Sequence, residues 1–312
     1  MGSRVKAGGR LAGRELWLLA LLTLIWGINW PIMKAGVNEI APMTFRSLTL
    51  LIAVPLLWLI IRAQRESLRV DRRYWRELLG IALCNLVIWT ICVIYGLRLL
   101  SSGRAAILGY TMPIWAALIG IALYGERPGP RLRWGVLAAA LGVILLMVSE
   151  FSALSGSPFG ALLLLVAAAS WALGTHLTRR RKLASSATVI TFWSAVLALV
   201  ACMALALLTE RDQWNPSAIS SIAGFSVFYN SVIVFGVAQV LWFRLAMLLP
   251  PVASGLSVLM IPVIGLSSGA LALGEPLYWQ DAAALLCVVI AIATVLLPAR
   301  APEPQAKQND QA

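Results

Sequence analysis

Apolar runs of about twenty residues recur along nearly the whole chain, each closed by a short charged or turn-rich break, and a run of that length is what one helix needs to cross a bilayer. They fall at about 15–35, 41–61, 77–99, 103–124, 132–149, 158–178, 187–208, 218–243, 250–273 and 277–297. Barrel strands would be half as long and would alternate apolar with polar residues. The chain is 60% hydrophobic and only 12% charged, whereas soluble domains stand near half apolar and about a quarter charged. A water-soluble fold could not hide that surface. In lipid every backbone polar group must be satisfied internally, which helices do alone. The expected fold class is therefore an all-α polytopic membrane protein with ten transmembrane helices.

Charge supplies the orientation. The net charge of +12 would suit a nucleic-acid partner only if a basic domain carried it. Instead Lys and Arg crowd into alternate connectors, the pattern of topology determinants. One side holds Arg4, Lys6, Arg10 and Arg14, the cluster Arg62 to Arg76, then Arg127, Arg131 and Arg133, then Arg179 to Lys182, and Arg244, Arg300 and Lys307. The other holds Lys34, Arg46, Arg98, Arg104 and Arg211. Both termini are expected in the cytoplasm, with residues 1–14 a cytoplasmic segment and 299–312 a disordered Pro/Gln-rich tail. The first apolar stretch is too long for a cleavable leader. Cys84, Cys92, Cys202 and Cys287 all lie in apolar runs without CxxC spacing, so neither disulfide nor metal site is signalled and no cofactor is expected.

Internal repetition is the next constraint. Met112-Pro113 … Leu123-Tyr124-Gly125-Glu126 returns as Ile261-Pro262 … Leu273-Gly274-Glu275, with thirteen positions from Pro to Glu in both copies. Thr44-Phe45-Arg46-Ser47 echoes Thr191-Phe192-Trp193-Ser194, and Trp26 echoes Trp171. The units are 15–149 and 158–298, five spans each. Five is odd, so the second copy enters the membrane from the opposite side, a common plan for alternating-access carriers.

These residues resemble a known family. Leu24-Ile25-Trp26-Gly27, Thr44-Phe45-Arg46 and the two Pro-to-Gly-Glu segments, in this order over roughly 15–298, resemble the EamA-type carriers of the drug/metabolite transporter superfamily. That resemblance implies ten helices, cytoplasmic termini, a bacterial inner-membrane location and export or exchange of small metabolites. Amino-acid exporters are its nearest functional analogue. One departure stands out: Trp193 occupies the place of Arg46 in the second half.

Candidate residues follow from what a carrier cavity needs. Acidic residues sit at or beyond span ends, so no in-membrane carboxylate offers itself for ion coupling. His176, the only histidine, reads as an interfacial side chain beside Arg179 to Arg181, with a proton relay as the alternative. Thr23, Trp26, Trp30 and Met33 share one face of the first span, with Asn29 beside it. Asn85 and Trp89 form an i,i+4 pair; Tyr110 and Thr111 lie one turn from Pro113; Trp171 and Thr175 share a face. Tyr229, Asn230, Gln239 and Trp242 lie along the eighth span. Deep tryptophans also serve as packing bulk, and amides as interhelical glue. Their gathering on spans one, three, four, six and eight favours a polar–aromatic substrate cavity. Pro113 and Pro262 are candidate hinges, Glu126 and Glu275 candidate gate residues. Arg46, one turn inside span two, is expected to snorkel outward, or else to hydrogen-bond within the protein or meet a substrate carboxylate.

The expected function is a secondary transporter exporting small metabolites, amino acids foremost. Its partners would be a zwitterionic or apolar-bodied solute and the lipid bilayer, not nucleic acid, and a monomer is compatible with it. A channel or scaffold without a carrier cycle, or efflux of drugs or other metabolites, is the alternative. HExxH, an Asp cluster or a Ser/His pair is not found, so no enzyme is expected.

Overall fold

The computed structural model describes residues 13–125, 129–152, 157–213, 219–248 and 251–296. Glu126, Arg127, Trp214, position 155, the tail from 299 and most of segment 1–14 lie outside the described residues. Within them the elements are helical throughout. In chain order they are α1 (Gly13–Glu39), α2 (Pro42–Ala63), α3 (Arg72–Leu99), α4 (Ser102–Tyr124) and α5 (Pro130–Ser152). Then come α6 (Pro158–Arg180), α7 (Ala187–Thr209), and α8, which runs unbroken through Ser221–Phe228, Tyr229–Ala238 and Gln239–Leu248. Last are α9 (Pro251–Leu273) and α10 (Trp279–Leu296). Among the described residues, α1 to α8 are long and apolar enough to cross a membrane, while α9 and α10 contribute the shorter apolar stretches Leu259–Leu273 and Trp279–Thr294. The protein is a multi-pass helical membrane protein.

Helix ends are fixed by local chemistry. Ser101, Ser157, Ser186 and Ser220 each accept a hydrogen bond from a first-turn N–H of α4, α6, α7 and α8, satisfying donors that the helix cannot. Proline opens α2 and α6, where its missing N–H costs nothing. Gly125 and Gly274 adopt left-handed φ of 66° and 64° after α4 and α9, a backbone that a β-carbon would strain. The two Gly-Glu motifs 149 positions apart are thus equivalent stop signals at the glycine.

Inside the helices the halves diverge in one place and agree in another. α4 breaks at Tyr110–Thr111, the Thr111 hydroxyl donating to Leu108 O at 2.6 Å. Pro113 then falls in the first turn of Met112–Tyr124. Pro262 instead lies inside α9, which stays helical around it. The two prolines are therefore not alike in their helices. By contrast, both α3 and α8 carry a π-helical stretch, Leu83–Ile88 and Tyr229–Ala238; such widened turns favour functional sites.

Packing joins the halves throughout. α1 lies on α9 and α8, α3 and α4 on α6, α2 on α7, α4 on α9, and α5 on α10. Small residues set the closest approaches, as expected where lipid offers no hydrophobic drive between helices. A β-carbon on Gly142 would stand 3.0 Å from Cys287 Cβ and 3.1 Å from Ala284 O of α10, and one on Gly27 would overlap Ile264 of α9. Leu137, Leu141, Ile144 and Val148 form the exposed stripe of α5, the face left to acyl chains.

Candidate functional site

The centre of the bundle is built around the inward face of α1. Trp30 is buried, its ring edge-on to Tyr110 of α4 with centroids 6.2 Å apart. The indoles of Trp89 on α3 and Trp171 on α6 meet at 5.0 Å. Gly109 lets these rings converge: a β-carbon there would stand 2.9 Å from Trp30 Cη2 and 3.8 Å from Trp89 Cη2. One turn along α1, Trp26 faces Trp242 of α8 at 5.5 Å. The structure thus brings Trp30, Trp89, Tyr110 and Trp171 together around the break in α4, with Trp26 and Trp242 as a second pair. Tilted and edge contacts of this kind hold aromatic walls without face-to-face stacking.

Two amides, Asn85 and Asn230, sit on the π-helical stretches, and a third, Asn29, on α1. Asn85 Nδ2 donates to Thr178 Oγ1 at 3.2 Å, while its Oδ1 is buried without a partner. Asn85 lies against Gly174 of α6, where an added β-carbon would come within 2.0 Å of Oδ1. Asn230 Nδ2 donates to Ser226 O at 3.0 Å, and its Oδ1 is buried and unpartnered, as is that of Asn29. A buried polar atom left unpaired costs about 1–3 kcal/mol, so each of these oxygens is an acceptor in want of a donor.

The remaining candidates are engaged locally. Thr175 and Thr111 hydroxyls bond to carbonyls of their own segments. Tyr229 OH donates to Ile25 O at 2.9 Å, pinning α8 to α1; Ser170 Oγ donates to Cys84 O and pins α6 to α3. Ile25 and Tyr229 lie 145 positions from Ser170 and Cys84 respectively, so the same junction is fastened in both halves with the donor on opposite helices. Gln239 is half-buried where the last segment of α8 begins.

Charged residues depart from expectation. Arg46 does not snorkel: it is 6% exposed, its Nη2 lies 3.4 Å from Met33 Sδ, and its Nε has no partner. Its position follows from the first turn of α2. There Glu210 accepts from Met43 N, Thr44 N and Thr44 Oγ1 at 2.7–2.9 Å, and Phe45 fills the space beside Gly36. His176 is buried where α6 meets α4: Nε2 lies 2.7 Å from Ala116 O, and the ring stacks on Tyr124, over which the Arg180 guanidinium also lies. Glu275 accepts from Ser102 N, Ser102 Oγ and Gly103 N, so this candidate gate residue caps α4. Arg104, counted by sequence as a connector charge, pairs with Glu150 and with Asp281, the latter at 2.6 Å. These contacts place the end of α1, α3, α5, α7 and α9 beside the start of α2, α4, α6, α8 and α10, hereafter the Arg104 end.

At the opposite end two open clefts, of about 710 and about 460 Å³, lie along the α2–α3 connector. The first is lined by Leu68, Arg69, Val70, Asp71, Arg72, Trp75 and Trp193. Neither touches the candidate residues, which are buried or half-buried. Sequence reading passed over Gly109, Gly174 and Thr178; the spacing of Trp171, Gly174 and Thr178 along one face of α6 was the available signal.

Comparison with known proteins agrees with this architecture. The family described as "EamA-like transporter family" matches twice, over residues 13–148 and 158–297. Two proteins of Bacillus subtilis (strain 168) are similar: Uncharacterized transporter YoaV, 25% identical over 81% of this chain and 87% of its own, and Uncharacterized transporter YvbV, 28% identical over 90% and 91%. An Escherichia coli (strain K12) protein named "Probable amino-acid metabolite efflux pump" is 22% identical over 83% of this chain and 87% of its own. A solved structure at 18% identity superposes with a TM-score of 0.62, covering 90% of this chain and 96% of that one; it bears on the fold alone.

Proposed function

The chain belongs to the EamA-like transporter family, and from that premise we propose a secondary carrier that exports small metabolites, amino acids foremost, by alternating access across ten crossings. It is a transporter and not an enzyme, and its substrate is a small molecule. The observation that carries the proposal is the group Trp30, Trp89, Tyr110 and Trp171 around the break in α4, with the unpartnered oxygen of Asn85 one turn from Trp89 on α3. Rings of this kind bury an apolar body, and an ammonium group supplies the donor that the amide oxygen lacks.

Inverted repeats are supported by the pairing of helices: α1–α8 is matched by α6–α3, and α1–α9 by α6–α4, while α2–α7, α4–α9 and α5–α10 are matched by themselves. On the charge pattern, the Arg104 end faces outward from a bacterial inner membrane and both termini face the cytoplasm. Cysteine labels at positions 67 and 185 then react from the cytoplasm only, and at 155 from outside only. Labelling of 67 and 155 from one side would end the inverted reading.

Counterflow in liposomes tests the function. Vesicles loaded with unlabelled amino acid accumulate the labelled one saturably, and do so without an imposed proton or sodium gradient, since the mid-span carboxylate such coupling uses is missing from the sequence. Linear, non-saturating flux indicates a channel. Strict dependence on a gradient would show that a group read as structural, His176 first, titrates in the cycle.

A further inference from the structure

Arg46 is a buried charge that packing leaves unexplained. Its guanidinium carries a full charge more than nine-tenths out of solvent, yet its hydrogen-bond partner is a thioether, a weak acceptor, and its Nε has none. Guanidinium groups ordinarily sink into protein against carboxylates or phosphates. The carboxylate at the start of its helix, Glu210, is taken by the first turn of α2.

Position and contrast both point inward. Met33, which the guanidinium touches, stands one turn from Trp30 on the same face of α1, and Trp30 meets Tyr110 in the aromatic group. At the equivalent position of the second half Trp193 has all it needs: Nε1 donates to Leu68 O at 3.0 Å and the ring packs on Trp75. The scaffold therefore does not require a cation there.

We propose that Arg46 is the receptor for an anionic head group, a carboxylate of the transported solute, bound by the planar fork of the guanidinium next to the aromatic wall. This rests on the reading of that centre as the substrate site and adds the polarity of the bound solute: carboxylate toward α2, body toward Trp30 and Tyr110. In this structure Met33 Sδ occupies the place proposed for the anion.

The test uses the wild-type protein in liposomes and phenylglyoxal, which modifies accessible arginine, with the Arg46 peptide read by mass spectrometry. Each of a panel of amino acids and short monocarboxylates is compared with its own amide. Arg46 is expected to react as the carrier cycles, and at least one acid is expected to slow the reaction about tenfold more than its amide does. An Arg46 that stays unmodified while exposed Arg65 and Arg69 react is sealed packing, and overturns the proposal. So does modification that acids and amides slow equally. Protection by a carboxylate that is not an amino acid, with no amino-acid counterflow, keeps Arg46 and removes the amino-acid reading; counterflow without protection does the reverse.

Discussion

The two halves of the chain share a scaffold and differ in where they place charge. Both end their fourth helix on a left-handed glycine, widen the third into a π-helical stretch with an asparagine in it, and fasten the third helix to the first helix of the other half by a hydroxyl-to-carbonyl bond. Yet Arg46 answers to Trp193, the break before Pro113 answers to unbroken helix at Pro262, and the buried Arg104–Glu150–Asp281 group lies at one end only of the described bundle. Under the proposed function, the unduplicated Arg46 and the break before Pro113 are what would make a site built on duplicated aromatic and amide positions hold an asymmetric solute in one orientation.

The sharpest contrast lies between the two ends. Removing Arg104 leaves Glu150 and Asp281 buried without their counter-ion, and breaking such a group costs about 3–5 kcal/mol. Arg104→Ala should therefore lower the unfolding midpoint in detergent far more than Arg73→Ala, whose pair with Asp71 is exposed and contributes at most about 1 kcal/mol. Equal effects would mean that the Arg104 end opens to water and is no special closure.

Next in size are the two caps that cross between halves. Glu210→Ala and Glu275→Ala each remove charged acceptors from a helix N-terminus, at a cost of about 1–2 kcal/mol. Similar losses support equivalent joints. A loss confined to Glu275 would limit the capping role to α4 and leave Glu210 free for another role, with Tyr95 OH already 3.4 Å from it.

A smaller and more selective effect separates the two asparagines. Asn85→Leu should shift solute preference toward more apolar compounds, with stability changed by about 1 kcal/mol or less. Asn230, 1% exposed and bonded to its own helix, should on substitution by Leu change stability more than preference. Gly174→Ala, by displacing the Asn85 amide, should copy Asn85→Leu in preference.

Much of this was legible in the chain. Span positions follow from run length and breaks, which the bilayer fixes physically, and the repeat was carried by Gly125-Glu126 and Gly274-Glu275 because a helix stop needs glycine. The tryptophans that meet were readable as faces, since i,i+3 and i,i+4 spacing fixes a direction on a helix. Arg46 was not: one turn inside a helix end, a long basic side chain reaches water or protein depending on helix rotation, which tertiary packing of Phe45 on Gly36 sets. The partners of His176 were out of reach for the same reason, since Tyr124 and Ala116 meet it across a helix contact. The π-helical stretches leave no mark in side-chain pattern, being a matter of backbone bonding alone. Pro262 and Pro113 read alike in sequence, but Tyr110 and Thr111 form a turn before one of them only.

Under the proposed function the Trp89–Trp171 pair is a wall of the transport site and not packing bulk. Counterflow and thermal unfolding measured together on Trp89→Ala and Trp171→Ala test it most directly. A lost indole in a wall removes contact area from the solute, so flux at limiting concentration should fall about tenfold or more while the unfolding midpoint moves little. Unchanged flux with a midpoint lowered by the amount expected of a core tryptophan truncation, about 3–5 kcal/mol, would contradict it.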